Sequence, residues 1–440
     1  MKIAPILPTW FLRRTAPWLL AIATLLAQAA PVDAPELARL GDAGVGVLSV
    51  NLDIGVVPSP EGKAPAERRL SAWLWYPSAG AASAAPRELA RDIRAHAWRP
   101  LANSPVRVAV PSVAQPDAPL QPGGRLPVVL ISHGLLNWAT AFNYLAEHLA
   151  SRGYVVLAME HDDEGASNPL AAALLLRPLD QAGALRSLQK WDATPGHRLH
   201  QRLALDRVAM VGYSMGGYGA LVSAGARVAS DGMAFGYVPG GVMARHVQPM
   251  QPAEAQAQAR IAAVVALAPW GGQAGIGALK ASGLSTIKAP TMVVVGDQDD
   301  ISGYADGVRA IWEQMSGAPR WLLVYENARH NIALHGVPAA LQGSFAGWSS
   351  LEEPVWRRDR LLDLNRHFIT AFLDLTLRGL ADRKLLLEPP VVRSNEGQWP
   401  EPFGAPATGR FAGPPAGDIT HWVGFQRRWA VGMRLEHRAP

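Results

Sequence analysis

Runs of consecutive apolar residues recur along the chain at 128–131, 155–158, 208–211, 263–267 and 292–295, and a mixed aromatic and aliphatic run at 321–325 closes the series. A strand with one wet face alternates apolar and polar residues. A strand covered on both faces stays apolar throughout. The runs therefore predict a mostly parallel sheet sandwiched between helices, an α/β architecture. Two earlier segments, 45–54 and 70–76, also read as strands, the second with partial alternation (Leu70, Ala72, Leu74, Tyr76). That makes eight strands. Helical patterns fall at 139–152, stopped by Gly153, and at 215–226, 303–315 and 351–377. Residues 77–125 read as a long connection with one short helix. Residues 165–200 and 228–260 read as insertions able to cap the sheet. The tail, 388–440, is rich in Pro and Gly until an aromatic and basic stretch at 422–434, and is expected to pack on the main domain.

The bulk composition excludes several classes. With 440 residues, 49% apolar and 18% charged, the chain can bury a large core. The net charge is +5 but no run of five or six basic residues occurs, which argues against nucleic-acid binding. A mildly positive surface favours at most transient contact with anionic membranes. The chain has no cysteine, so disulfides, thiolate metal sites and a cysteine nucleophile are all excluded. At the N-terminus Lys2, Arg13 and Arg14 precede a short apolar run at 16–27, followed by Ala27-Gln28-Ala29. That is the layout of a cleavable export signal over 1–29, cut near Ala29/Ala30, with 30–440 as one domain and a secreted or periplasmic location. An uncleaved anchoring segment is the alternative.

Gly212-Tyr213-Ser214-Met215-Gly216 carries the chemistry. The pattern G-x-S-x-G directly after an apolar strand and before a helix is the setting of a nucleophile elbow, in which a sharp turn presents the serine at the carboxyl edge of the sheet. The Met215 amide, at a helix start, is placed to stabilise an oxyanion. The serine needs a base. His330 follows the last strand of the series, and the order Ser, Asp, His is the one this elbow uses; His335 is the fallback. The base needs an orienting carboxylate. Gly296-Asp297-Gln298-Asp299-Asp300 offers three, of which Asp299, fourth from the glycine, is expected to serve, with Asp297 and Asp300 turn-forming or solvated. The loop after the 128–131 strand, Ser132-His133-Gly134-Leu135-Leu136, should supply the second oxyanion donor through the Leu135 amide, with His133 shaping the loop. His161, Asp162, Asp163 and Glu164 cluster after the next strand without metal-ligand spacing, and read as loop-ordering residues. Trp138, Trp270 and Tyr213 lie near this edge and are candidates for a substrate pocket. The expected reaction is cleavage of a carboxylic ester through an acyl-enzyme on Ser214, with no cofactor and no metal. The same triad also cleaves amides, and a silent binding protein on the same fold is a further alternative.

Ser132-His133-Gly134-Leu135, Gly153-Tyr154-Val155-Val156, Glu160-His161-Asp162 and Ala166-Ser167 resemble the dienelactone hydrolase-like and platelet-activating-factor acetylhydrolase-like branch of the α/β hydrolases, over roughly 125 to 335. Ala268-Pro269-Trp270 is similar to a segment of cutinase-like polyester hydrolases. The resemblance implies an α/β-hydrolase fold, an oxyanion hole at the Leu135 and Met215 amides, and a small-molecule, lipid or polyester ester as substrate. The chain departs from true dienelactone hydrolases, which use cysteine.

Overall fold

Two long strands, β1 (Gly44–Val57) and β2 (Ala66–Ser78), pair antiparallel and begin the sheet. The apolar runs then supply β3 (Leu126–Ser132), β4 (Val155–Met159), β5 (Leu203–Tyr213), β6 (Ile261–Leu267), β7 (Thr291–Gly296) and β8 (Arg320–Tyr325). The computed structural model describes residues 35–80, 87–93, 95–96, 99–100, 106–248, 260–399, 419–426 and 428–440; the expected signal at 1–29 lies outside them. The sheet order is β8-β7-β6-β5-β3-β4-β2-β1, parallel from β8 to β4 and antiparallel beyond. A strand absent from the sequence reading, β9 (Met433–Arg438), adds antiparallel to β8, and Gln115–Pro116 bridges to β1 at the opposite edge. The mixed sheet is therefore ten-stranded rather than eight-stranded.

The continuous apolar runs are explained by two separate cores. Val129, Ile131, Val265 and Leu323 point into one, and Val128, Leu130, Val264 and Leu322 into the other. Helices α1 (Asn143–Ser151) and α4 (Arg358–Arg378) cover the first face; α2 (Pro169–Ala193) and α3 (Met215–Ser223) cover the second. α1 follows a 3₁₀ turn (Ala139–Phe142) and stops at Gly153, whose φ of 88° suits a residue without Cβ. α4 begins at Arg358, later than expected, because the Glu353 carboxylate accepts the Arg329 and Val355 amides and fixes that stretch as a loop. The 303–315 helix is split into a π-turn (Tyr304–Arg309) and a short helix (Ala310–Gln314).

Two expectations are corrected. The 165–200 insertion is no cap: α2, capped by the Asn168 side chain, buries Leu174, Leu175, Leu185 and Leu188 against the sheet. Residues 77–125 hold no helix among the described positions; Arg87–Ile93 and Val106–Ser112 form an antiparallel ribbon, with Val108 and Val110 turned inward at a period of two. Of the 228–260 insertion, short turns at Met233–Tyr237 and Pro239–Gly241 and a helix at Ala244–Val247 are described; 249–259 lie outside.

Pro178 interrupts α2 and cannot donate to the Leu174 carbonyl one turn back. The Tyr218 hydroxyl of α3 donates to that oxygen instead (3.0 Å), and His246 Nε2–H donates to the Leu175 carbonyl (2.8 Å). Among the described residues of the tail, Trp422 and Phe425 are buried against Phe368 of α4.

Candidate active site

β5 ends at Tyr213 and α3 begins at Met215, so Ser214 alone makes the turn, at φ 53° and ψ −115°. Such a backbone is strained for a non-glycine residue and persists only where the surroundings hold it. Here the Ser214 amide donates to the Leu267 carbonyl of β6 (2.9 Å), and the Ser214 carbonyl accepts from the Tyr218 and Trp270 amides (3.0 and 3.2 Å). The flanking glycines are required by contact. A Cβ on Gly212 would meet the Gly216 carbonyl oxygen at 2.1 Å, and one on Gly216 would meet the Ser132 carbonyl oxygen at 2.0 Å.

His330 follows β8, and its Nδ1–H donates to both carboxylate oxygens of Asp299 (2.9 and 3.0 Å). The structure thus sorts the three acids. Asp299 Oδ1 also accepts the Ile301 and Ser302 amides (3.0 and 2.8 Å). Burial pushes the Asp299 carboxyl up, but the facing imidazole and those two amides outweigh it and hold it below the usual carboxylate range. Asp297 instead accepts the Asn327 amide and the Arg434 guanidinium, and Asp300 pairs with Arg329 at the surface. Ser214 and His330 are each 7% exposed, at the carboxyl edge of the sheet. Among the described residues no hydrogen bond joins Ser214 Oγ to the imidazole. The residue beside the serine bridges to the base instead: the Tyr213 ring lies 5.1 Å from the His330 ring, and its hydroxyl donates to the His330 carbonyl (3.3 Å). Tyr213 is therefore a buried support of the base rather than a wall of an open pocket.

Trp138 is likewise core, 1% exposed within the cluster that holds Phe142 and Tyr213. The Trp270 amide hydrogen-bonds the Ser214 carbonyl, so this residue adjoins Ser214 through its backbone. His335 is half-buried; its amide donates to the Ala141 carbonyl, and partial burial with the nearby Arg366 and Arg358 pushes its imidazole down to about 4.

Neither the Leu135 nor the Met215 amide donates to an acceptor among the described residues, while the next amide, Leu136, donates to Asp163 Oδ2 (2.9 Å). His133 orders this loop: its Nε2 accepts the His161 amide (3.0 Å), which leaves Nδ1–H to donate to the Gly134 carbonyl (2.7 Å). The acidic cluster after β4 is similarly occupied. His161 Nδ1–H donates to Asp180 Oδ2 (2.8 Å) and its Nε2 accepts from Ser132 Oγ (2.9 Å), while Arg68 closes on Asp180 Oδ1 (2.6 Å). This second Ser–His–Asp series is sealed in the interior, with Ser132 and His161 each 2% exposed, and serves the loop rather than a substrate. Asp163 is held by Arg177 (2.6 Å), and Asp162 accepts the Gly165 amide (3.1 Å). Among the described residues no cluster of three or more His, Asp or Glu could hold a metal.

Sequence reasoning missed Arg177, Asp180 and Arg68. Each sits in a helix or strand far along the chain from the loop it supports, and nothing in local spacing betrays it.

The family model of platelet-activating factor acetylhydrolase, isoform II, matches residues 73–174. That span carries β3, the His133-Gly134-Leu135 loop, α1 and β4, and ends before the elbow. A platelet-activating factor acetylhydrolase of Gallus gallus is 39% identical over 54 residues, which covers 12% of this chain and 13% of the relative. The match therefore spans about an eighth of the relative's length. The sheet order and flanking helices are an α/β architecture, and over residues 73–174 the chain is similar to the platelet-activating factor acetylhydrolase family.

Proposed function

We propose that the protein is a serine esterase with Ser214 as nucleophile, His330 as base and Asp299 as orienter. The observation that supports this reading is the His330–Asp299 hydrogen bond after β8, together with a strained, glycine-flanked serine at the same carboxyl edge of the sheet. Ser214 Oγ attacks the ester carbonyl, and His330 Nε2 takes its proton. The tetrahedral oxyanion lies between the Leu135 and Met215 amides. Collapse expels the alcohol, which leaves with the proton returned by His330. Water, deprotonated by the same imidazole, then attacks the acyl-enzyme and frees the acid and Ser214. Asp299 keeps the His330 proton on Nδ1 and stabilises the imidazolium. No step needs a cofactor. The similarity to platelet-activating factor acetylhydrolases supports an acetyl or other short acyl group on a lipid alcohol as substrate.

The test is fluorophosphonate labelling with peptide mapping, followed by turnover of p-nitrophenyl esters of rising acyl length against the matching anilide. A single adduct on Ser214 and hydrolysis favouring short esters are expected. Ser214→Ala should lower kcat by about 10³-fold or more. Normal turnover by that variant, or anilide cleavage equal to ester cleavage, would remove the reading.

A further inference from the structure

The oxyanion loop raises a geometric question that the triad leaves open: what aims the Leu135 amide? The Gly134 carbonyl and the Leu135 N–H belong to one planar trans peptide unit, so they point in opposite directions. Whatever holds the oxygen on one side aims the N–H to the other. Two side-chain donors hold it. His133 Nδ1–H lies 2.7 Å from the Gly134 oxygen, and Arg177 Nη2 lies 3.2 Å from it. The same Arg177 nitrogen donates to Asp163 Oδ2 (2.6 Å), and that oxygen accepts the Leu136 amide (2.9 Å). Leu136 needs such an anchor because its φ is 53°, in the left-handed region that a branched side chain avoids. One buried ion pair therefore fixes both peptide units that flank Leu135. With the Leu136 N–H occupied, the Leu135 N–H is the donor left to the site.

Arg177 also offsets the charge of the buried Asp180, but its hydrogen bonds go to Gly134 and Asp163. Arg177 and Asp163 are both interior, at 1% and 4% exposure, on α2 and the loop after β4. Two guanidinium nitrogens of Arg177, Nε and Nη1, are buried without a hydrogen-bond partner. A cation kept in the interior with donors unused is a poor device for stability, since desolvation costs more than a single ion pair returns. Its retention is accounted for by the bonds it does make.

We propose that Arg177, held by Asp163, is a positioning residue for catalysis: it locks the Gly134–Leu135 peptide with its N–H toward the oxyanion. Without it the Gly134 oxygen keeps the His133 and Asn137 donors but loses the tie to Asp163 and Leu136, so the flipped state, in which a carbonyl oxygen faces the developing negative charge, gains population. The inference rests on the esterase reading above.

The experiment compares wild type with Arg177→Lys, which keeps the charge against Asp163 but lacks the planar fork needed to reach both acceptors. Active sites are counted by the p-nitrophenol burst, so that kcat is expressed per competent site. The expected result is an unchanged circular dichroism spectrum, kcat per titrated site lower by about 10- to 100-fold, and KM within about threefold, because one oxyanion donor acts in the transition state and not in the ground state. A trifluoromethyl ketone, which forms a tetrahedral oxyanion on Ser214, should lose affinity by the same factor. A merely structural arginine would reduce the number of titratable sites and leave kcat per site at the wild-type value; that outcome overturns the proposal. If the lysine variant does not fold, the neutral pair Arg177→Met with Asp163→Asn is read the same way, and wild-type kcat per site again overturns it. Failure of the esterase reading is seen separately, as a wild-type protein that gives neither burst nor fluorophosphonate adduct.

Discussion

Asp299 shows how one carboxylate is selected from three neighbours. It is the one that faces inward, and it alone meets an imidazole and two amides. Asp299→Asn keeps the volume but reverses the donor at His330 Nδ1, which leaves the wrong tautomer facing Ser214. A fall in kcat of about 10³- to 10⁴-fold is expected, with little change in KM. The same residue makes an acid-side prediction. Its folded pKa lies below the ordinary value, so it contributes stability that is complete above the unfolded pKa of about 3.9 and is lost as pH falls through the folded pKa. Melting temperatures of wild type and Asp299→Asn should therefore converge as pH drops from 7 to 3. Widening of the gap would show that another group governs. The acid was legible in the sequence because loop position is a local property. The support given to His330 by Tyr213 was not, because it depends on a ring packing across from one strand end to another.

At the scale of elements, Pro178 inside α2 and the helix α3 answer each other. The proline frees the Leu174 carbonyl, and Tyr218, four residues past the nucleophile, takes it up. Tyr218→Phe leaves a buried carbonyl without its donor and should cost about 1–3 kcal/mol. In a Pro178→Ala background the restored amide at 178 can fill that role, so the same change should cost less. Denaturant titrations of the four proteins give the coupling, and equal costs in both backgrounds would show that the bond and the proline are unrelated. The existence of β3 to β8 could be read from apolar runs alone, since a doubly covered strand has nothing to alternate with. The role of 165–200 could not. A proline inside a long Ala- and Leu-rich segment signals a break, yet α2 runs through it, with the Tyr218 hydroxyl of α3 on the carbonyl that the proline leaves free.

Across the whole molecule, buried and half-buried histidines tie distant parts together in their neutral form. Burial, with nearby arginines, pushes His148 and His161 well below their ordinary value, His335 to about 4 and His367 to about 3. His367 Nδ1 accepts the Leu37 amide (3.1 Å) and its ring packs on Phe425, so it joins α4 to segments from both ends of the described chain. A depressed histidine gives stability that is complete above the unfolded pKa of about 6.5 and is lost as pH falls toward the folded pKa. Glu147, Asp163 and Asp180, raised by burial, tilt the other way at lower pH. A comparison of His367→Gln with wild type isolates one histidine: between pH 6.5 and 4 the wild type should lose up to about 1.4 kcal/mol more per pH unit. Parallel stability curves would refute this.

β9 escaped the sequence reading because Met433-Arg434-Leu435-Glu436-His437-Arg438 alternates, as an edge strand does, and lies about a hundred positions beyond its partner β8. That distance sets an order of events during biosynthesis. On a ribosome, β8 emerges well before the segment that covers its outer side, and an unpaired strand edge invites pairing with other nascent chains. Until β9 arrives, that edge is a vulnerability that a growing chain must keep out of reach of its neighbours.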